Sequence, residues 1–493
     1  MEFFGREEEI DELRRLRNLA AKASRFTVLT GRRRVGKTEL IHHALGDMPY
    51  IYWLVTRSTE RELCKTMQGV AEYVLGLQLP GRADSFAALF KWVMQEATKR
   101  PITLVIDEFQ EFFRVNQSVF SEMAGIWDSL HKTARINLVV CGSVNRLMGR
   151  IFFDAGEPLY GRNTGKITLE PFKISVLKNI LSTYSPDHNY APDDLLALWT
   201  LTGGVARYVE ELMDEAAVTR DGMLEAVFRR SSPMIDEGRA VLVQEFGKDY
   251  GTYFSILSAV AAGDTSYGAI KNAVGVDPGA YLSKLEVEYG ILEKKLPFKG
   301  ASSGRSSLYK IEDRFFRFWF RFIYKYQYLI ELGRFSELLE IVRRDFDVYS
   351  GEALESYFRA RFKEDTTYTR IGSWWDRKGE NEIDLVCEDE LNRRMRFAEI
   401  KRDKRDISLR SLEKKADAFF RKCGNLPSGW SCDYVGLSLE DMCPPPSPPH
   451  HSSPRRVKIF LFSPLRGRGE YGIIRGVWGK CTTNFKDKRR KKT

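Results

Sequence analysis

The chain has no run of about 18 apolar residues, which excludes an ordinary membrane-spanning helix. Its first residues, MEFFGREEEI, are acidic and polar, so they do not read as a secretory signal. Cysteine is sparse and odd in number, seven in all, with no CxxC pair. That argues against a disulfide framework and a zinc site and predicts reduced thiols in a cytoplasmic setting, and the lack of a spanning helix predicts no membrane partner. The six histidines, even in the two HH pairs, lack ligand spacing. A basic body is missing too. Residues 441–493 hold 13 of the 77 lysines and arginines but only 3 of the 67 acids. The net charge of +10 therefore belongs to the tail, and the rest of the chain is neutral.

At 493 residues the chain exceeds one ordinary core, so three or more domains are expected. Residues 1–20 place apolar residues at helical spacing. FTVLTGRRRVGKTELIHHAL reads as strand, glycine-bounded loop and helix, and YIYWLVT, ITLVIDE and INLVVCGS as further strands separated by helical stretches. This alternation predicts an α/β fold with a doubly wound parallel sheet over 1–170. Residues 171–240 read as helices only, a helical lid. Over 243–312, three helical stretches, with Asp277 as a cap and Pro278 in the first turn, precede a β-hairpin and predict a winged helix. RFFRFWFRFIYKYQYLIEL, within 313–345, predicts an aromatic connecting helix striped by Arg314, Arg317, Arg321 and Lys325, its aromatic side buried and its basic side wet. Residues 346–440 read as helix, two strands, helix and strand, a small α/β domain. From 441 to 493 a Pro-rich stretch leads into the basic end KDKRRKKT, which predicts partial disorder. After VKIFLFS the tail reads as a divergent basic appendage or as a change of reading frame near Ser463.

Gly31 to Thr38 fits GxxxxGK[ST] between a strand and a helix. The loop Gly31, Arg32, Arg33, Arg34, Val35, Gly36 would turn its backbone N–H groups toward phosphates, aided by the positive end of the following helix. Lys37 would reach the β- and γ-phosphates of ATP and Thr38 would ligate Mg²⁺. The three arginine side chains read as solvated charges. Asp107 and Glu108, ending the strand ITLVIDE, supply the complement: Asp107 would hold Mg²⁺ and Glu108 would orient or deprotonate the attacking water.

With these motifs in place, the chain resembles the archaeal-type ATPase family of the AAA+ superfamily. FFGREEEIDEL, GRRRVGKT, LVIDEFQ, VVCGSVNRLM, PLYGRNTGKITLEPF and TGGVARYVEEL carry the resemblance over most of 1–215. It implies that Ser143 or Asn145 is a polar sensor near the γ-phosphate. It also implies that Arg162 is an arginine finger, in cis or across a subunit contact, or else a surface arginine, and that Arg207 is a lid sensor. Ala206 stands where the family more usually has Pro, which predicts a looser lid turn.

The helix of the winged-helix region that would enter DNA offers Lys284 against Glu286 and Glu288, a poor surface for phosphates. The wing, with Lys294, Lys295, Lys299, Arg305 and Lys310, is more basic. A protein-contact or spacer role is favoured, with wing-led DNA contact as the alternative.

In NEIDLVCEDELNRRMRFAEIK, residues 381–401, alternation places Asp384 on one strand across from Glu399 and Lys401 on the next. Two carboxylates brought together call for a cation, and Mg²⁺ is the hard ion that suits them. Lys401 would position water or stabilise phosphoryl charge. The segment resembles the PD-(D/E)xK nuclease superfamily, which implies Glu355, in the preceding helix, as a further acid. The other reading is a solvated edge hairpin. Two functions follow: an ATPase coupled to a nuclease-like, DNA-processing domain, or an ATP-driven switch or assembly protein whose end domain only binds. Either takes ATP and Mg²⁺. DNA, a second copy of the chain or another protein are the partners each implies.

Overall fold

Strands β1 (Arg25–Thr30), β3 (Ile102–Asp107) and β4 (Ile136–Gly142) are near-continuous apolar runs, as strands covered on both faces must be. With β2 (Ile51–Leu54) and β5 (Gly165–Thr168) they make a five-stranded sheet in the order β2-β3-β4-β1-β5, every pair parallel. On one face Phe26, Val28, Trp53 and Ile106 pack with the helices Glu60–Leu75, Phe86–Lys99 and Ser118–Leu130. On the other, Leu29, Val105 and Val139 meet Leu13 and Leu16 of the helix Glu7–Ala20, and Leu40 and Ile41 of the helix Lys37–Leu45. The α/β parallel sheet is as expected, with one strand more than the sequence reading found. β5 has four residues and buries only Ile167, so no periodicity marks it.

This computed structural model describes residues 1–143, 145–246, 250–300, 307–376, 380–424 and 426–443. The tail expected over 441–493 lies outside them from residue 444 on, as does Arg305. The chain divides into two units, one of residues 1–295 and 307–353 and one of residues 296–306 and 354–493. Among the described residues no helix is long and apolar enough to cross a membrane.

In the first unit, helices Ile174–Tyr184, Pro192–Thr202, Ala206–Asp214, Arg220–Phe228 and Met234–Phe246 follow the sheet. The turn before Ala206 is tied down rather than loose. Phe172 N donates to Gly204 O at 2.7 Å, and Arg207 N donates to Arg34 O at 3.1 Å. Helices Tyr250–Ala262, Tyr267–Val274 and Gly279–Ser283, the last continuing as a wider turn over Lys284–Glu288, precede an antiparallel ribbon of β6 (Leu292–Lys295) and β7 (Leu308–Ile311). Asp277 does accept the Gly279 N–H at 3.0 Å, but Pro278 occupies the cap position itself. Of the wing cations, Lys295 lies 3.7 Å from Glu293 and Lys310 lies 3.0 Å from Glu352.

The aromatic stretch forms a short helix, Arg314–Phe318, a widened turn, Trp319–Tyr324, and a second helix, Gln327–Glu331. Phe315, Phe318, Trp319 and Phe322 are buried, as expected. The basic side is not simply wet. Arg317 pairs with Glu352, Arg321 lies 3.6 Å from Asp345, and Arg314 lies over the Trp199 ring at 5.4 Å. These acids come from one helix, Phe335–Glu364, which runs unbroken through the boundary expected at 345/346.

Gly238 explains part of this packing. A Cβ there would sit 2.3 Å from the Trp319 ring, whose Nε1 donates to Ile235 O at 2.7 Å. Gly238→Ala should therefore destabilise the protein by about 1–3 kcal/mol through overpacking, even though alanine is the better helix former. Thermal unfolding checks this; an unchanged or raised melting temperature would refute it.

The second unit centres on a sheet ordered β11-β10-β9-β8. β8 (Arg370–Trp375) and β10 (Arg394–Ile400) run antiparallel to β9 (Glu382–Asp389), and β11 (Ser431–Leu437) runs parallel to β10. The hairpin is thus the middle of a sheet, and every β9 residue from Ile383 to Asp389 is buried. The edge-hairpin reading is corrected accordingly: β8, unread in the sequence, covers the flank that was expected to be wet. Leu412, Ala416 and Phe419 of the helix Leu409–Cys423 pack on Trp374, Ile383 and Phe397.

Candidate functional site

A parallel sheet gathers the loops after its strands along one edge, and the site of the first unit lies there. After β1 the chain turns at Gly31, where a Cβ would lie 2.6 Å from Leu169 O, so only glycine lets the loop pass. Gly36 has φ +92°, left-handed backbone that glycine adopts at no steric cost, and it caps the helix Lys37–Leu45. The Lys37 ammonium curls back to donate to Gly31 O and Arg32 O, each at 3.0 Å. Burial lowers its pKa, with Glu108 the leading opposing charge. A buried cation held by backbone carbonyls is a ready partner for phosphate charge.

Asp107 ends β3 and is 4% exposed. Its Oδ2 accepts from Thr38 Oγ1 at 3.1 Å and from Tyr52 OH at 2.5 Å. Its Oδ1 accepts from Glu108 N at 2.8 Å and from Cys141 Sγ at 3.0 Å. Burial pushes the Cys141 thiol well up, so it stays a donor. Glu108 has φ +51°, and Ser143 Oγ donates to its Oε2 at 3.0 Å. Thr38 and Asp107 together offer the hydroxyl and carboxylate oxygens that Mg²⁺ favours, so this donor set fits the ion.

Lys37, Thr38, Asp107, Glu108, Ser143 and Arg207 line one cleft of about 580 Å³. Arg33, Arg34, Val35 and Gly36 line it too. The loop arginines are not simply solvated. Arg32 pairs with buried Asp313, which also caps the helix Arg314–Phe318 by accepting the Phe316 N–H at 3.1 Å. Arg34 pairs with Glu237, whose carboxyl burial pushes up. Both acids arrive from more than 200 residues downstream, beyond the reach of any local pattern.

Arg207 lies in the cleft wall and pairs with Glu210 at 3.3 Å and Glu211 at 2.5 Å. Arg162 does not line the cleft. Asp128 holds its guanidinium through two bonds, at 3.0 and 2.6 Å, and Pro158 O accepts a third. A finger acting in cis is therefore not what this arrangement provides. Asn145 begins the helix Asn145–Phe153, but its side chain lies outside the described ones. The sequence reading gave no role to four further residues that line the cleft, Phe3, Arg6, His43 and Phe172. Arg6 donates to Val35 O at 3.3 Å and lies 4.7 Å from the Phe172 ring. Phe3 stacks on His43 with centroids 3.9 Å apart.

In the second unit, Asp384 and Lys401 meet at 3.4 Å, and Ile400 N donates to the same Asp384 oxygen at 2.7 Å. Glu399 accepts from Ser408 N and from Lys415 Nζ, both at 3.1 Å. Lys415, from the helix Leu409–Cys423, went unread. Both carboxylates are buried and each already faces a lysine. Among the described residues no three His, Cys, Asp or Glu side chains gather as a cation cage. The expected trio of Asp384, Glu399 and Glu355 is thus not gathered among the described residues; Asp384 faces Lys401 and Glu399 faces Lys415. Lys299, expected in the wing, pairs here with Glu388 at 2.8 Å.

Residues 3–212 match a family of ATPase domains found predominantly in Archaea, and residues 319–415 match a family of archaeal and bacterial proteins of unknown function. An uncharacterized protein of Methanocaldococcus jannaschii is 27% identical over 430 residues, covering 85% of this chain and 91% of its own. The Walker-type ATPase paby2304 of Pyrococcus abyssi superposes at TM-score 0.48 with 19% identity, over 65% of this chain and 96% of its own. The ORC2 protein of Aeropyrum pernix, solved with ADPNP and ADP, does so at 0.48 with 14% identity, over 68% and 96%. Residues 3–212 are thus similar to archaeal-type ATPase domains.

Proposed function

We propose that the protein is a Mg²⁺-dependent ATP hydrolase whose nucleotide state governs its C-terminal half. The observation that carries this reading is the convergence of Lys37, the Thr38–Asp107 bond and Glu108 on one cleft. Lys37 exchanges its two carbonyl acceptors for β- and γ-phosphate oxygens. Thr38 and Asp107 would hold Mg²⁺, which would neutralise phosphate charge. Glu108 accepts the proton of the attacking water, with Ser143 beside it. Arg207 closes on the phosphates from the helical side, and Arg162 serves a neighbouring subunit if the protein assembles. The setting is cytoplasmic. Calorimetric titration of the full chain with Mg²⁺–ATP tests binding: saturable heat supports the reading, and its absence refutes it.

A second reading concerns the second unit, and the contact between Asp384 and Lys401 on a buried central strand favours it. Asp384 and Glu399 would hold Mg²⁺, which would supply charge stabilisation at a scissile phosphate of DNA, and Lys401 would stabilise the same phosphoryl charge. Relaxation of supercoiled plasmid in Mg²⁺, with and without ATP, should then be at least about 100-fold slower in Asp384→Asn. No nicking by the wild type, or equal nicking by the variant, rejects cleavage. The remaining alternative is an ATP-driven switch whose ribbon and second unit bind protein or nucleic acid.

A further inference from the structure

Two residues beyond Glu108, Gln110 has no place in the reaction just described, yet its setting is specific. It is 2% exposed. Its Nε2 donates to Glu108 Oε2 and lies 3.5 Å from Ser143 Oγ. A carboxylate only accepts, so the amide must turn its N–H edge to Glu108. That leaves Gln110 Oε1 buried and without a partner among the described residues. A buried orphan acceptor is costly and persists only where something else requires it. β4 makes room for it. A Cβ at position 142 would lie 2.2 Å from Gln110 Oε1 and 2.6 Å from Met148 Sδ, so Gly142 is what admits the amide.

The two donors, Ser143 and Gln110, converge on the same oxygen of Glu108. Oε1 accepts from neither, and Glu108 lines the cleft beside Lys37 and Thr38. We infer that Gln110 is a positioning residue for hydrolysis: its amide fixes Glu108 Oε2, so that Oε1 is the oxygen left to take the proton of water. This rests on the ATPase reading. Glu108 follows the strand in a left-handed conformation, outside the regular β3 ladder, so side-chain donors rather than the strand set its orientation. Orientation errors of about 1 Å at a reacting group can cost about 100-fold in rate.

The test compares full-length wild type, Gln110→Met, Glu108→Gln and the double variant. It measures single-turnover hydrolysis of γ-labelled Mg²⁺–ATP alongside ATP affinity. Methionine keeps the length and removes the amide. Gln110→Met should slow hydrolysis about 10- to 100-fold while ATP affinity stays within about twofold. Adding it to Glu108→Gln should slow hydrolysis no further, because Gln110 acts only through Glu108. A rate within about twofold of wild type, or a further tenfold loss in the double variant, overturns the inference. If Gln110→Met does not fold, Gln110→Leu, which also removes the amide, is read by the same criteria. Wild-type protein without turnover sinks the ATPase reading itself, which is a distinguishable result.

Discussion

Lys37→Ala should weaken binding of Mg²⁺–ATP by at least about 100-fold, equivalent to about 3 kcal/mol. The size follows from what the side chain is. It is a buried ammonium that, among the described residues, donates to two carbonyls of its own loop, Gly31 O and Arg32 O. Burial already makes its charge unfavourable, so phosphate oxygens gain a partner that solvent cannot replace. The loop keeps its shape without it. Gly31 passes under Leu169 O, Gly36 supplies the left-handed turn, and Arg32 and Arg34 are anchored by Asp313 and Glu237. Nucleotide titration with an unchanged melting temperature separates lost binding from lost fold. Affinity within a few-fold of wild type would remove Lys37 from the site.

Glu108→Gln should leave ATP affinity within a few-fold of wild type and lower the hydrolysis rate about 10²- to 10⁴-fold, the usual contribution of a general base. The amide has nearly the carboxylate's shape and can still accept from Ser143 Oγ, so Asp107 and Thr38 are undisturbed. What it loses is the ability to take a proton. The two variants divide the site: Lys37 acts on binding and Glu108 on chemistry. If Glu108→Gln also abolished binding, Glu108 would be holding the cleft together instead.

The nucleotide site was legible because its chemistry is local. Eight consecutive residues from Gly31 to Thr38 fix the phosphate loop, and two ending one strand fix its acidic complement. The parallel sheet followed from strands alternating with helices. What stayed hidden arrives from a distance. Asp313 and Glu237 reach the loop arginines across more than 200 residues, and Arg6 comes from before the first strand. β5 and β8 were missed for different reasons. β5 buries one residue of four, and β8 shows no alternation around Gly372, where its pairing with β9 shifts register. Missing β8 left open the alternative that β9 is an edge strand with solvated acids. The meeting of Asp384 with Lys401 was readable from alternation and the turn. The pairing of Glu399 with Lys415 was not, because Lys415 sits in a charged helix whose packing face the sequence reading left unassigned. The stripe of Arg314, Arg317 and Arg321 shows the converse. Its spacing was evident, but its acidic partners on Phe335–Glu364 appear only in the fold.

The central claim is that this cleft turns over ATP. The most direct measurement is steady-state phosphate release by the full-length chain at saturating Mg²⁺–ATP, run beside Glu108→Gln. Release that disappears with chelation of Mg²⁺ and falls at least about 100-fold in the variant is the predicted result. Release that is absent from the wild type, or equal in the two proteins, would contradict it.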